Sequence, residues 1–271
     1  MEAYRAHGAD GVVGLGGGAA LDVAKVILLM ATHPGDLFDY EDEKPGARPI
    51  DGAIPYWVAV PTTAGTGSEV GRSSVISCDE THQKKIIFSP KLLARTVFAD
   101  PELTVGLPAA MTAATGMDAL THNVEAYLAK AWHPICEGIA LEGLRLCGEH
   151  LVAAFERPGD LEARGGMLMA SMMGAIAFQK GLGVTHSCAH ALGTVCDMHH
   201  GLANAVMIDH ALAFNRGTSD VKFGRMAEVL GLTRSPEAFF EWLVAMQARL
   251  KMPATLTAPG ADRSQLEELV A

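Results

Sequence analysis

The sequence predicts an α/β part followed by an all-helical part. Up to about residue 107, short strand-like segments alternate with glycine-bearing loops and a helix, whereas the remainder consists of long apolar-periodic segments almost free of β-branched clusters. With 271 residues, 49% of them hydrophobic, and a mean hydropathy of +0.19, there is core material for one large domain or two modest ones.

Residues 10–15 read as a strand, Gly16, Gly17 and Gly18 follow it, and a helix is expected over 20–31. A second strand at 56–60 (YWVAV) runs into PTTAGTGSE, and a third at 96–99 (TVFA) ends in DPELT. Strand, loop, helix and strand in that order suggest helices laid over a largely parallel sheet. Beyond residue 108, AAMTAATGMDALTHNVEAYLAK, HPICEGIALEGLRLCGEHLVAAFE, LEARGGMLMASMMGAIAFQKG and the stretch through 206–215 read as helices. The boundary is placed at Leu107-Pro108, giving parts of 1–107 and 108–271; no Gly-, Ser- or Pro-rich linker separates them, so they are expected to pack closely.

A formal net charge of -10 and the absence of any basic run argue against nucleic acid and for a small-molecule partner. The longest apolar run, residues 26–31, is too short to span a bilayer, and MEAYRAHGAD has no signal pattern, so no membrane partner and a cytoplasmic location are expected. Five cysteines without a C-x-x-C pair suit reduced thiols, and Cys188 and Cys196 read as core.

Glycines between a strand and a helix let the backbone approach an anion, and the helix N-terminus offers free N–H groups to a pyrophosphate; a ligand-free tight turn would use the same residues. No G-K-[ST] follows, and G-x-G-x-x-G fits only if Ala19 takes the last place. Asp22 and Lys25, three apart on that helix, could be an ordinary surface pair, but Asp22 in the first turn is expected to face whatever the loop holds. PTTAGTGSE could cradle another part of the same ligand.

Asp118 and His122 lie four apart on a predicted helix, which puts their Cβ atoms about 5 to 6 Å apart on one face. His186 and His190 repeat the spacing, and His200 precedes Gly201, where a helix could begin again. Singly, each histidine suits a hydrogen-bonded packing role. Two same-face pairs plus a fifth candidate point instead to a divalent first-row metal, Fe(II) or Zn(II), rather than to calcium or magnesium.

With these motifs in order, GGG with Asp22 and Lys25, PTTAGTGSE, DPELTVGLPAAMTAATGMDALTHNVEAY, and GVTHSCAHALG followed by HHGLANA, the sequence resembles the iron-containing (group III) alcohol dehydrogenase family over most of residues 10–215. The resemblance implies an architecture shared with dehydroquinate synthase-like proteins: a dinucleotide-binding α/β domain, here lacking its opening portion, and a helical metal-binding domain. It implies Asp118, His122, His186 and His200 as metal ligands, with Fe(II) preferred and Zn(II) the alternative. His190 would lie near substrate and nicotinamide as the proton relay. Gly17, Gly18 and Asp22 would meet the pyrophosphate and nicotinamide end of NAD or NADP, and Thr62, Thr63, Lys84 and Leu103 would line the rest.

Three departures stand out: Ala19 replaces a usual serine or threonine, His199 replaces a usual proline and rivals His200, and the family's first and last segments are missing. The expected chemistry is reversible hydride transfer between NAD(P) and a small alcohol or aldehyde. The rivals are a dehydroquinate synthase-like or polyol-acting relative, and a shortened chain that binds metal without turnover. The missing opening strands should leave residues 10–15 with an unpaired edge or an exposed apolar surface, which invites self-association into a homo-oligomer. Metal binding with weak NAD(P) binding is the corresponding expectation.

Overall fold

The structure, a computed structural model, describes every residue except Glu43, Thr81, His82, Ala258, Leu266, Glu267, Val270 and Ala271. A short helix, α1 (Glu2–His7), leads into β1 (Gly11–Gly16). Helix α2 (Gly18–Thr32) starts directly at the glycine loop, with Gly17 as its N-cap. β2 (Tyr56–Pro61) pairs in parallel with β1, from Gly11 opposite Tyr56 to Gly16 opposite Pro61. Trp57 and Ala59 alternate inward and meet Leu21, Ala24 and Leu28 of α2, closing a small core that gives this layer its register.

β3 (Ser73–Ser77) and β4 (Lys84–Phe88) form an antiparallel pair absent from the sequence expectation. Long-range contacts decide it. Val75 N donates to Asp22 Oδ2 at 2.9 Å and Ser74 Oγ to the Asp22 carbonyl at 2.9 Å, so α2 supplies the anchor for a serine-rich strand of weak intrinsic signal. β5 (Thr96–Val97) pairs in parallel with β2 and is shorter than the expected 96–99, because the chain turns there into a Pro101–Thr104 turn capped by Asp100. The order β1-β2-β5 leaves β1 at an edge, with Val13 67% and Leu15 60% exposed. A parallel sheet is ordinarily covered on both faces, whereas these two side chains of β1 face outward.

The helical part comprises α3 (Ala109–Leu128), α4 (Pro134–Glu156), α5 (Leu161–Ala177), α6 (Val184–Val195), α7 (His200–Phe214), α8 (Asp220–Val229) and α9 (Pro236–Arg249). Starts are marked locally: Asp160 accepts from Ala163 N ahead of α5, and Ser235 from Ala238 N ahead of α9, whose first residue is Pro236. Residues 112–127 of α3 are all buried, so this helix is the axis on which the others pack. Met117, Leu120 and Val124 join Leu144 and Leu151 of α4 and Phe223, Phe239 and Leu243 of α8 and α9 in one core. A Cβ on Gly201 would lie 2.3 Å from the Ala114 carbonyl oxygen; glycine there lets the start of α7 reach the backbone of α3. Among the described residues no single helix is long and apolar enough to cross a membrane.

Candidate metal centre

Asp118 and His122 project from one face of α3, His186 comes from the first turn of α6, and His200 opens α7. Asp118 Oδ1 lies 3.9 Å from His122 Nε2, 3.6 Å from His186 Nε2 and 3.5 Å from His200 Nε2. The ligand atoms of Asp118, His122 and His186 all fall within 4.8 Å of one another, and all three residues are buried. Ligands about 2.1 Å from a common tetrahedral centre stand about 3.4 Å apart, so these separations are those of ligands around an ion rather than of direct hydrogen bonds.

The outer contacts of the rings support the same reading. His122 Nδ1 faces the Gly65 carbonyl at 3.3 Å and His186 Nδ1 faces Glu125 Oε2 at 2.7 Å, which turns both Nε2 atoms inward. Asn204 Nδ2 donates to Asp118 Oδ1 at 2.8 Å and lies 3.3 Å from Nε2 of both His186 and His200, while its Oδ1 is buried without a hydrogen-bond partner among the described residues. The carboxylate and imidazole nitrogens thus converge on one buried region, where the Asn204 amide is the neutral donor beside them. Burial disfavours charge on Asp118, but the surrounding histidines hold its carboxyl well below the usual carboxylate range. Burial likewise disfavours charge on His186; the Asp118 and Glu125 carboxylates outweigh it and push the ring up to about 9. His122 is pushed down to about 4, chiefly by burial. One carboxylate and three imidazoles around this point fit a divalent first-row ion.

His199 stays outside. It is the N-cap of α7, its Nδ1 accepting from Leu202 N at 3.4 Å, which leaves His200 as the inward residue. The His190 ring stands 5.3 Å from that of His200, and burial, then the neighbouring histidines and Lys84, pushes it down to about 4, so it is neutral at physiological pH. Glu125 and Asn204 were missed from the sequence. Spacing could have found both: Glu125 follows Asp118 by seven residues and His122 by three, and Asn204 follows His200 by four, each on the ligand-bearing face.

The glycine loop lies against PTTAGTGSE. A Cβ on Gly17 would meet the Thr63 side chain at 3.3 Å and one on Gly18 would meet Thr66 at 2.7 Å, while Thr62 N donates to the Gly16 carbonyl at 3.0 Å. Two expectations for this loop are corrected. Asp22 does not present a free carboxylate to the loop: Oδ1 accepts from Ser68 Oγ at 2.6 Å and Lys25 Nζ at 3.3 Å, and Oδ2 from Val75 N, because the inner face of α2 meets β3. Lys25 is no surface residue but fully buried, its ammonium also donating to Ser68 Oγ and the Ser73 carbonyl, each at 2.7 Å. Lys84 reaches from β4 to α6, where a Cβ on Gly193 would lie 3.0 Å from its Nζ, and Leu103 is 43% exposed on the Pro101–Thr104 turn. Cys188 and Cys196 are both half-buried; Cys196, just past the end of α6, packs against the small core of Ala189, Leu192, Met198 and Ala203, as expected.

A glycine-looped parallel layer joined to a helical part that carries a buried cluster of metal-ligand side chains defines the class: a two-part α/β-plus-helical fold with a candidate metal centre. Within it, the chain belongs to the iron-containing alcohol dehydrogenase family: the iron-containing alcohol dehydrogenase family matches residues 1–101, and its C-terminal counterpart residues 112–271. The chain is 41% identical over 278 residues to 4-hydroxybutyrate dehydrogenase of Cupriavidus necator, covering 99% of this chain and 72% of that one. The crystal structure of a 1,3-propanediol oxidoreductase is similar at a TM-score of 0.93 and 36% identity, covering 99% of this chain and 71% of that one. Sulfoacetaldehyde reductase from Bifidobacterium kashiwanohense, solved in complex with NAD+, has a TM-score of 0.88 and 29% identity over 99% of this chain and 71% of that one. The chain spans between 59% and 72% of the length of the first curated relatives it matches.

Proposed function

We propose that this chain transfers a hydride between NAD(P) and a small alcohol or aldehyde at a metal centre held by Asp118, His122, His186 and His200. The observation that carries it is the buried cluster of Asp118, His122 and His186, whose ligand atoms lie within 4.8 Å of one another, with His200 Nε2 3.5 Å from Asp118 Oδ1 and the Gly65 carbonyl of the PTTAGTGSE loop against His122. Fe(II) is the preferred ion and Zn(II) the alternative. When bound, the ion supplies a Lewis acid that polarises the substrate oxygen.

The chain's own residues do the rest. Glu125 and the Gly65 carbonyl orient His186 and His122, and His190, neutral at physiological pH, accepts or returns the substrate proton toward solvent. The amides of Gly17 and Gly18 at the start of α2 meet the pyrophosphate of NAD or NADP, and Thr62, Thr63, Lys84 and Leu103 line the remainder of the dinucleotide site. Asp22 acts behind the loop, tying α2 to Ser68 and β3. We place the boundary between the dinucleotide and metal parts at residues 107 and 108. A cytoplasmic homo-oligomer, without nucleic-acid or membrane partners, is the setting this reading assumes.

Relatives named for 4-hydroxybutyrate and 1,3-propanediol make short hydroxy acids and diols the first substrates to try. The test is reduced-nicotinamide formation by the metal-loaded chain with NAD or NADP against such a panel; metal retention with no turnover and no dinucleotide binding would defeat the hydride-transfer reading. The bare outer face of β1 favours a second reading, a chain that holds metal but binds the dinucleotide weakly. Calorimetric titration with NAD and NADP separates the two.

A further inference from the structure

Asn204 lies one helical turn after His200 on α7 and is fully buried against α3. Its carboxamide has one tenable orientation. Nδ2 donates to Asp118 Oδ1 at 2.8 Å and stands 3.3 Å from Nε2 of both His186 and His200, whereas the reverse orientation would set two acceptor oxygens 2.8 Å apart. This leaves the Asn204 Oδ1 buried with no hydrogen-bond partner among the described residues, and an unsatisfied buried carbonyl is destabilising. A side chain needed only to pack α7 on α3 has no use for such an arrangement, because an apolar one of similar bulk would fill the space without stranding an oxygen. The stranded oxygen is therefore tied to what Nδ2 does for Asp118.

The oxygen that Asn204 holds is also the one that faces all three imidazole Nε2 atoms, at 3.5 to 3.9 Å. The last torsion of an aspartate is soft, so its carboxylate can swing and offer both oxygens to a cation. A hydrogen bond fixed to one oxygen opposes that swing.

We propose that Asn204 is a positioning residue of the metal centre: its Nδ2–H···Oδ1 bond fixes Asp118 as a ligand through one oxygen and keeps the carboxylate from turning away or chelating. This role rests on the metal-centre reading above and concerns how the ion is held rather than the hydride step.

The test compares wild type with Asn204→Leu, which keeps the bulk and removes the donor, using cobalt(II) as the probe. Cobalt affinity, read by competition with a chelator, should fall about 10–100-fold. The cobalt d–d absorption should also change in position and intensity, because those bands follow the number and geometry of the ligands. An asparagine that only packed α7 on α3 would alter stability without moving the bands, so an unchanged spectrum would overturn the role whatever the affinity does. Should the variant fail to fold, wild type still decides: in crystals of the cobalt-loaded chain, Asn204 Nδ2 should stay within hydrogen-bond reach of the Asp118 oxygen that meets the ion. An Asp118 bound through both oxygens, or an Asn204 amide turned away from it, would contradict the proposal. A wild-type chain that takes up no cobalt would sink the metal-centre reading itself, and this role with it.

Discussion

Glu125 Oε2 stands 2.7 Å from His186 Nδ1, while Nε2 of the same ring faces Asp118 Oδ1 at 3.6 Å. The glutamate also accepts from Gly183 N at 3.0 Å and Thr185 N at 2.7 Å, so it caps the start of α6 and aims the imidazole in one arrangement. An amide cannot accept from the ring and from both backbone N–H groups as a carboxylate does. Glu125→Gln should therefore weaken metal binding about 10–100-fold, read by competition with a chelator of known affinity. Unchanged affinity would mean that Glu125 serves α6 alone.

His199 and His200 are adjacent and chemically identical, yet only His200 faces Asp118. His200→Ala should cost more metal affinity than the roughly 100-fold expected from removing a supporting residue. His199→Ala should leave the metal in place and cost about 1 kcal/mol of stability, the usual value of a helix N-cap. Metal content after dialysis and a denaturation midpoint for each variant check the pair, and equal metal loss in both would contradict the arrangement.

Glu69 is buried, with Oε1 unpartnered among the described residues, and burial pushes its carboxyl up to about 7. Because the folded value lies above the ordinary one of 4.5, folding favours the protonated form. Its contribution is therefore fully present below pH 4.5 and is lost as pH rises through about 7. Glu69→Gln should remove that loss and stabilise the chain by up to about 3 kcal/mol at pH 8, with no gain at pH 4. Denaturant midpoints at the two pH values measure it, and an equal effect at both would assign the change to packing.

Gly18 is required by a neighbour within the protein as well as by any ligand. An alanine Cβ there would lie 2.7 Å from Thr66 Cγ2, so Gly18→Ala should cost about 1–3 kcal/mol through overpacking. Adding Thr66→Ser removes the clashing methyl and keeps the hydroxyl that accepts from Ser68 N, and it should recover part of the loss. No recovery in thermal midpoint would place the strain elsewhere in the loop.

By itself the sequence determined what is local. The glycine turn into α2, the alternation of β2 around Trp57 and the helical second part follow from periodicities of two and 3.6 residues, which act between near neighbours and need no fold to be read. Asp118 with His122, and His186 with His190, share faces for the same reason, and His200 next to Gly201 marks a helix start. Only the tertiary structure decided which of these faces meet. Asp22 turns toward β3, Lys25 is buried rather than exposed, β3 and β4 pair, and Lys84 crosses to α6 through contacts between residues distant in sequence. His200 rather than His199 was already the ligand the family resemblance implied, and the close approach of Gly201 to the Ala114 carbonyl supplies the physical reason, since it sets which side of α7 faces α3. Such choices follow from which arrangement encloses the apolar surface with its polar groups still paired, a property of the assembled chain and of no single segment.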